Sequence, residues 1–206
     1  MVPPNETSDI YFSVDIESDG PIPGAFSMLS LALVAVARFD GVHFERLDVH
    51  AAARYWELRP ISDRWEPEAL SINGLDRARL LREGAPPPQV MREADSWVRG
   101  VAAGCKPVLV AYPAAFDWSF VHWYFSSFLG SSPFGHGTCI DIRSLYIGAA
   151  CSTYEASSKS RLPLELLPES AHTHNALDDA IEQGELFCNL FEWALRRRPA
   201  LSQTPS

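Results

Sequence analysis

Residues 10–16, Ile-Tyr-Phe-Ser-Val-Asp-Ile, constrain this chain more than any other segment. The run is β-branched and aromatic with little alternation, which describes a strand buried on both faces at the centre of a sheet. Such a strand needs packed layers on either side. It ends in Asp15-Ile16-Glu17, where a period of two puts both carboxylates on one face. A single acid there reads as a turn residue, whereas two acids flanking an isoleucine read as a ligand pair.

The rest of the chain supplies those layers. Turn formers crowd residues 18–24, and residues 28–39 read as a second strand. Asp40-Gly41 signals a hairpin into a third strand over 42–49, so three antiparallel strands open the domain. Residues 52–64 are rich in arginine and aromatics and carry no clear period. A short helix over 66–74 closes at Gly74, and 76–83 adds a helical turn or two. After a break at Pro86-Pro87-Pro88, Val90, Met91, Ala94, Trp97, Val98 and Val101 fall at helical spacing within 89–103. A short buried strand is expected at 107–111, an aromatic-rich helix at 117–129 and a fifth strand at 138–142. A helix starts over 142–147, a loose polar loop covers 152–160, and a last long helix covers 177–197. The expected organisation is one domain over 10–198 between flexible tails at 1–9 and 199–206.

Composition bounds the function. The 206 residues are 47% hydrophobic and 21% charged, ordinary for a globular protein with a sizeable core. A net charge of −9 argues against a long electrostatic grip on duplex DNA or anionic membrane. The longest apolar run, 29–37, is too short to span a bilayer, and the start lacks a signal-peptide pattern. Four cysteines show no zinc-ligand spacing. These features describe a reduced, cytoplasmic protein with no membrane partner.

Two further acidic pieces stand out. Phe116-Asp117 follows the 107–111 strand after a small loop, where Asp117 taken alone reads as a helix cap. His172-Thr173-His174-Asn175-Ala176-Leu177-Asp178-Asp179 opens the last helix. A binuclear hydrolase using the His-x-His pair would continue to Asp-His, but Ala176 and Leu177 occupy those places. Gathering four carboxylates at one point costs about 4 kcal/mol per pair at 4 Å and an effective dielectric of 20. Divalent cations would neutralise that cost and could clamp the oxygens of a phosphodiester.

Taken in order, Asp15-x-Glu17, Phe116-Asp117 and His174-x-Ala176-x-x-Asp179 resemble the three motifs of the DEDDh 3′–5′ exonucleases. The resemblance extends to the 28–32 strand, to Ala-Leu-Ser-Ile-Asn-Gly-Leu at 69–75 and to Cys139-Ile140-Asp141, covering roughly residues 10–192. It implies a ribonuclease H-like α/β fold, with a mixed five-stranded sheet flanked by helices. It implies a metal-dependent 3′–5′ exonuclease that hydrolyses phosphodiester bonds at 3′ ends of single-stranded DNA or RNA and releases nucleoside 5′-monophosphates. Two divalent cations, Mg²⁺ or Mn²⁺, would be held by Asp15, Glu17, Asp117 and Asp179, which selects Asp179 over Asp178. His174 would take a proton from the attacking water. Ser18, Met28 and Phe116 would contact the substrate. The partners implied are nucleic acid 3′ ends, single-stranded or short, and a second copy in a homodimer, for which the helix from Trp118 is a candidate surface.

The chain departs from the family at Tyr112-Pro113, where many relatives carry His-Asn, and at Ser18, where many carry Thr. The segments 52–64 and 125–136 are not general family features. The arginines at 54, 59, 64, 77, 79 and 82 form either a substrate grip or a solvated face. The competing reading is a catalytically weak nucleic-acid-binding module on the same fold. A missing carboxylate would mark it, and none is missing.

Overall fold

A computed structural model describes residues 8–170 and 172–197. The expected tails at 1–9 and 199–206 lie outside the described residues, apart from Ser8 and Asp9. Six strands form one mixed sheet: β1 (Asp9–Ser18), β2 (Met28–Phe39), β3 (Phe44–Arg46), β4 (Ala53–Glu57), β5 (Lys106–Ala111) and β6 (Cys139–Asp141). The order is β3-β2-β1-β5-β6, with β4 also on β2. β2 is antiparallel to β1, β3 and β4, while β1, β5 and β6 run parallel.

The sheet has one strand more than the five expected. The unassigned arginine-rich stretch supplies it: β4 extends the pairing of the long β2 beyond the short β3. β3 itself covers only part of the expected 42–49 strand. The helices are α1 (Pro67–Asn73), α2 (Arg77–Glu83), α3 (Pro87–Ala102), α4 (Ala114–Phe128), α5 (Ile142–Ala150) and α6 (Ala176–Arg196). Pro87 does not keep α3 from starting, because proline is tolerated in a first turn whose N–H groups have no intrahelical partner. The expected loose loop at 152–160 is partly ordered into short 3₁₀ turns at Glu155–Ser157 and Lys159–Arg161.

β1 divides two cores, as its buried run requires. Ile10, Phe12, Val14 and Ile16 face α3 and α4, meeting Val90, Met91 and Val98 together with Phe120, Val121 and Tyr124. Tyr11 on the opposite face joins Phe187, Leu190 and Trp193 of α6 and Tyr146 of α5. Phe120, Tyr124 and Phe125 are fully buried, so most of the aromatic crowding on α4 is core packing. α6 lies close on the sheet at Gly184, where a Cβ would come within 2.6 Å of Val36 Cγ1.

The arginine-rich region is largely spoken for. Arg77 pairs with the buried Asp19 at 2.8 Å, and Arg79 pairs with Glu57 at 2.6 Å. Arg54 lies over the Trp97 ring and Arg64 over the Phe26 ring. These contacts fasten α2 and the preceding loop to the sheet, a structural use of the charge.

Candidate active site

Past Ser13, β1 and β5 part. Their parallel pairing ends at Ser13–Val110, while β1 continues to Ser18 beside β2 alone. Backbone groups on that freed edge must find other partners. Gln183 Nε2 donates to the Val14 carbonyl at 2.7 Å, and its Oε1 accepts the Tyr112 N–H at 2.7 Å. The Ile16 N–H donates to Asp117 Oδ1 at 3.1 Å. Side chains from α4 and α6 thus plug the split, and the acidic residues gather there.

β1 carries Asp15 and Glu17 on the face toward α6, as the period of two requires. Oxygens of Asp15, Glu17 and Asp179 lie within 4.8 Å of one another. Asp117 enters from α4. That helix begins at Ala114, three residues earlier than expected, so Asp117 sits inside its first turn and is no cap. It is buried and bears on Asp15 and Glu17 through its charge. Burial, and then the charges of Asp117, Glu17 and Asp179, push Asp15 well above the usual carboxylate range. Burial, followed by the charges of Asp179 and Asp117, lifts Glu17 to about 8 against the hydrogen bond from Asn73. Burial raises Asp117 to about 7, opposed by the Ile16 N–H. Metal-free, these groups resist ionisation. Oxygen donors crowded at this spacing fit a hard divalent cation, which would supply the missing positive charge.

The histidines stand at the rim. His174 precedes the helix instead of lying on it, with a left-handed φ of 59°, because Asn175 caps α6 by accepting the Leu177 N–H at 3.0 Å. Ligand nitrogens of His172 and His174 lie within 4.8 Å of an Asp179 oxygen. His172 Nδ1 is 3.1 Å from Asp179 Oδ1, and that oxygen also accepts the Thr173 N–H at 2.8 Å. Asp178 instead accepts the Thr173 hydroxyl on the exposed side.

The expected substrate residues fall into different settings. Phe116, 40% exposed, lies beside Asp117 and packs on Phe120. Ser18 is buried and its hydroxyl donates to the Gly20 carbonyl at 2.8 Å, leaving only acceptor capacity. Met28 is not on a substrate surface here. It is fully buried in the core, and its N–H donates to the Tyr124 hydroxyl at 2.7 Å. The structure adds residues that motif reading passed over. Asn73, at the end of α1, hydrogen-bonds Glu17 and donates to the Ser18 carbonyl at 3.0 Å. Its place in the Ile-Asn-Gly-Leu segment was the available signal. Gln183 and Glu182 follow Asp179 on the same helix, where their types alone said nothing.

A split mixed sheet, with acids delivered from β1, α4 and α6 to the split, defines a ribonuclease H-like nuclease. No protein-family model matches the chain. It is 35% identical over 180 residues to the 3′–5′ DNA exonuclease Cap18 of Escherichia coli, covering 87% of this chain and 90% of that protein. It is 27% identical over 183 residues to ribonuclease T of Shewanella denitrificans, covering 86% and 78%. The nuclease domain of 3′hExo, a DEDDh family member solved bound to rAMP, superposes with a TM-score of 0.63 at 12% identity, covering 90% and 92%. The chain belongs to the DEDDh family of 3′–5′ exonucleases, hydrolases of nucleic acid that depend on divalent metal. Among the described residues, no helix is long and apolar enough to cross a membrane.

Proposed function

We propose that the protein removes nucleoside 5′-monophosphates from the 3′ ends of single-stranded DNA, using two Mg²⁺ or Mn²⁺ ions held by Asp15, Glu17, Asp117 and Asp179. The observation that carries this reading is the convergence of the four acids at the split between β1 and β5. DNA is preferred because the relative with 35% identity is named a DNA exonuclease, while the likeness to ribonuclease T is weaker. When bound, the cations neutralise the carboxylates and supply Lewis-acid chemistry to the scissile phosphodiester. His174, exposed at the rim, accepts the proton of the attacking water on an imidazole nitrogen. Asn73 fixes Glu17 and the end of β1, and the exposed Phe116 ring offers a stacking face for the terminal base. The catalytic domain spans 10–198. A cytoplasmic location is consistent with four free cysteines.

The test is a time course on 5′-labelled single-stranded DNA and RNA of equal sequence, with Mg²⁺, Mn²⁺ or chelator, beside Asp15→Ala. A metal-dependent ladder shortening from the 3′ end, absent in Asp15→Ala and faster on DNA, is expected. A faster RNA ladder reverses the substrate assignment. No ladder on either strand, with metal bound, leaves a binding module.

A further inference from the structure

A fifth carboxylate, Glu182, borders the site. Glu182 follows Asp179 by three residues, which places both on one side of α6. It is as deeply buried as Asp179. A single atom ties the two together: His172 Nδ1 lies 3.1 Å from Asp179 Oδ1 and 3.9 Å from Glu182 Oε2. Nothing in the motif pattern accounts for this fifth acid, and a buried unpaired carboxylate is costly.

Its partner is Lys159, one of only two lysines in the chain. The ammonium donates directly to Glu182 Oε2. It also stands 5.4 Å from the centre of the Tyr112 ring, at the position where the family pattern is broken. The segment that delivers Lys159 is anchored. The Tyr112 hydroxyl donates to the Ser157 carbonyl, and Arg143 Nε donates to Ser157 Oγ at 2.9 Å. Arg143 donates to the Tyr154 carbonyl at 2.7 Å while lying 3.6 Å over the Tyr154 ring. The charge of Lys159 reaches Asp15, where it favours the ionised form.

We propose that Lys159 is a positioning residue of the exonuclease: by pairing with Glu182, it keeps the fifth carboxylate out of the metal-ligand set. This inference rests on the exonuclease reading above. Released from Lys159, Glu182 is an anionic oxygen donor within reach of the site. It would compete with the four ligands for a cation and displace His172 from Asp179. Lysine suits the task because its ammonium is a compact point charge that neutralises one carboxylate oxygen.

The experiment compares wild type, Lys159→Met and the double variant Lys159→Met/Glu182→Gln on 5′-labelled single-stranded DNA. In parallel, Mn²⁺ binding without substrate is followed by calorimetry and by the Mn²⁺ electron paramagnetic resonance spectrum. In Lys159→Met, kcat falls by about tenfold or more while KM stays within about threefold, and the Mn²⁺ affinity or spectrum changes. The double variant restores kcat to within about threefold of wild type and restores the Mn²⁺ signature, because an amide no longer competes for the cation. If Lys159→Met unfolds, the neutral pair of the double variant carries the comparison, and its recovery is the expected result. A double variant as slow as Lys159→Met overturns the inference. So does a raised KM with kcat kept, since Lys159 would then meet the nucleic acid itself. An inactive wild type sinks the exonuclease reading alone, because the substrate-free Mn²⁺ comparison still decides whether Lys159 restrains Glu182.

Discussion

The crowded acids make the metal-free protein lose stability as pH rises, over a range where many proteins are steady. Glu17 at about 8 and Asp117 at about 7 both lie far above their ordinary values of 4.5 and 3.8. Between pH 5 and 7 the unfolded chain has released these protons and the folded chain keeps them, so unfolding becomes easier with each step upward in pH. The stability tied to the protonated groups is fully present below about pH 4 and is lost progressively from there until pH 7 to 8. Each retained proton is worth about 1.4 kcal/mol per pH unit. Counting the buried Asp117 alone gives about 2 kcal/mol between pH 5 and 7. Glu17 is partly exposed and adds less after solvent screening. At about 2–4 °C per kcal/mol for a chain of this size, Tm falls by roughly 4–8 °C. Thermal unfolding in chelator at pH 5, 6, 7 and 8 measures this directly. If the proposed site binds Mg²⁺ in its deprotonated form, saturating Mg²⁺ adds about 2.7 kcal/mol of stability at a hundred times its Kd, and raises Tm most at the alkaline end. Asp117→Asn flattens the metal-free slope without removing the general effect of a net charge of −9. A metal-free Tm that holds level or climbs from pH 5 to 7, or a slope unchanged in Asp117→Asn, refutes this account of the cluster.

Two packing predictions follow from the same scaffold. Gly184→Ala drives a methyl toward Val36 Cγ1 at 2.6 Å and Ser13 Cβ at 3.2 Å, and lifts α6 from the sheet at a cost of about 1–3 kcal/mol; an unchanged denaturant midpoint would show that the helix is not seated so closely. Tyr124→Phe leaves the buried Met28 N–H without its acceptor and costs about 1–3 kcal/mol by denaturant titration, with the far-ultraviolet spectrum kept.

Much of the fold was legible because its central strand is written without ambiguity. Seven residues ending in Ile16 demanded burial on both faces, and the sheet provides it. β4 was illegible because Arg54, Tyr55 and Trp56 show no buried alternation; the strand is defined by its register against β2. The carboxylates could be read because a strand period and a helix start both fix where a side chain points. His174 lies before the helix because the capping preference of Asn175 outweighs the continuation of helical spacing back to the histidine. The family resemblance implied a substrate contact at Met28, yet its burial depends on α4 lying across it. Lys159 and Glu182 could not be paired from sequence, since nothing local says that a polar loop will fold back onto the buried side of a later helix.

The gap between β1 and β5 also governs when the site can exist. Asp15 and Glu17 are made early in synthesis, Asp117 arrives midway, and Asp179 comes on the last described helix. Because domains fold as units, with earlier-synthesised segments available first, a chain still emerging from the ribosome holds only part of the acidic cluster. Gln183 performs two tasks in one docking event: it seals the exposed backbone of both strands and carries Asp179 into place. On the proposed ligand set, hydrolysis waits until α6 docks, and a copy whose last helix has come away loses it.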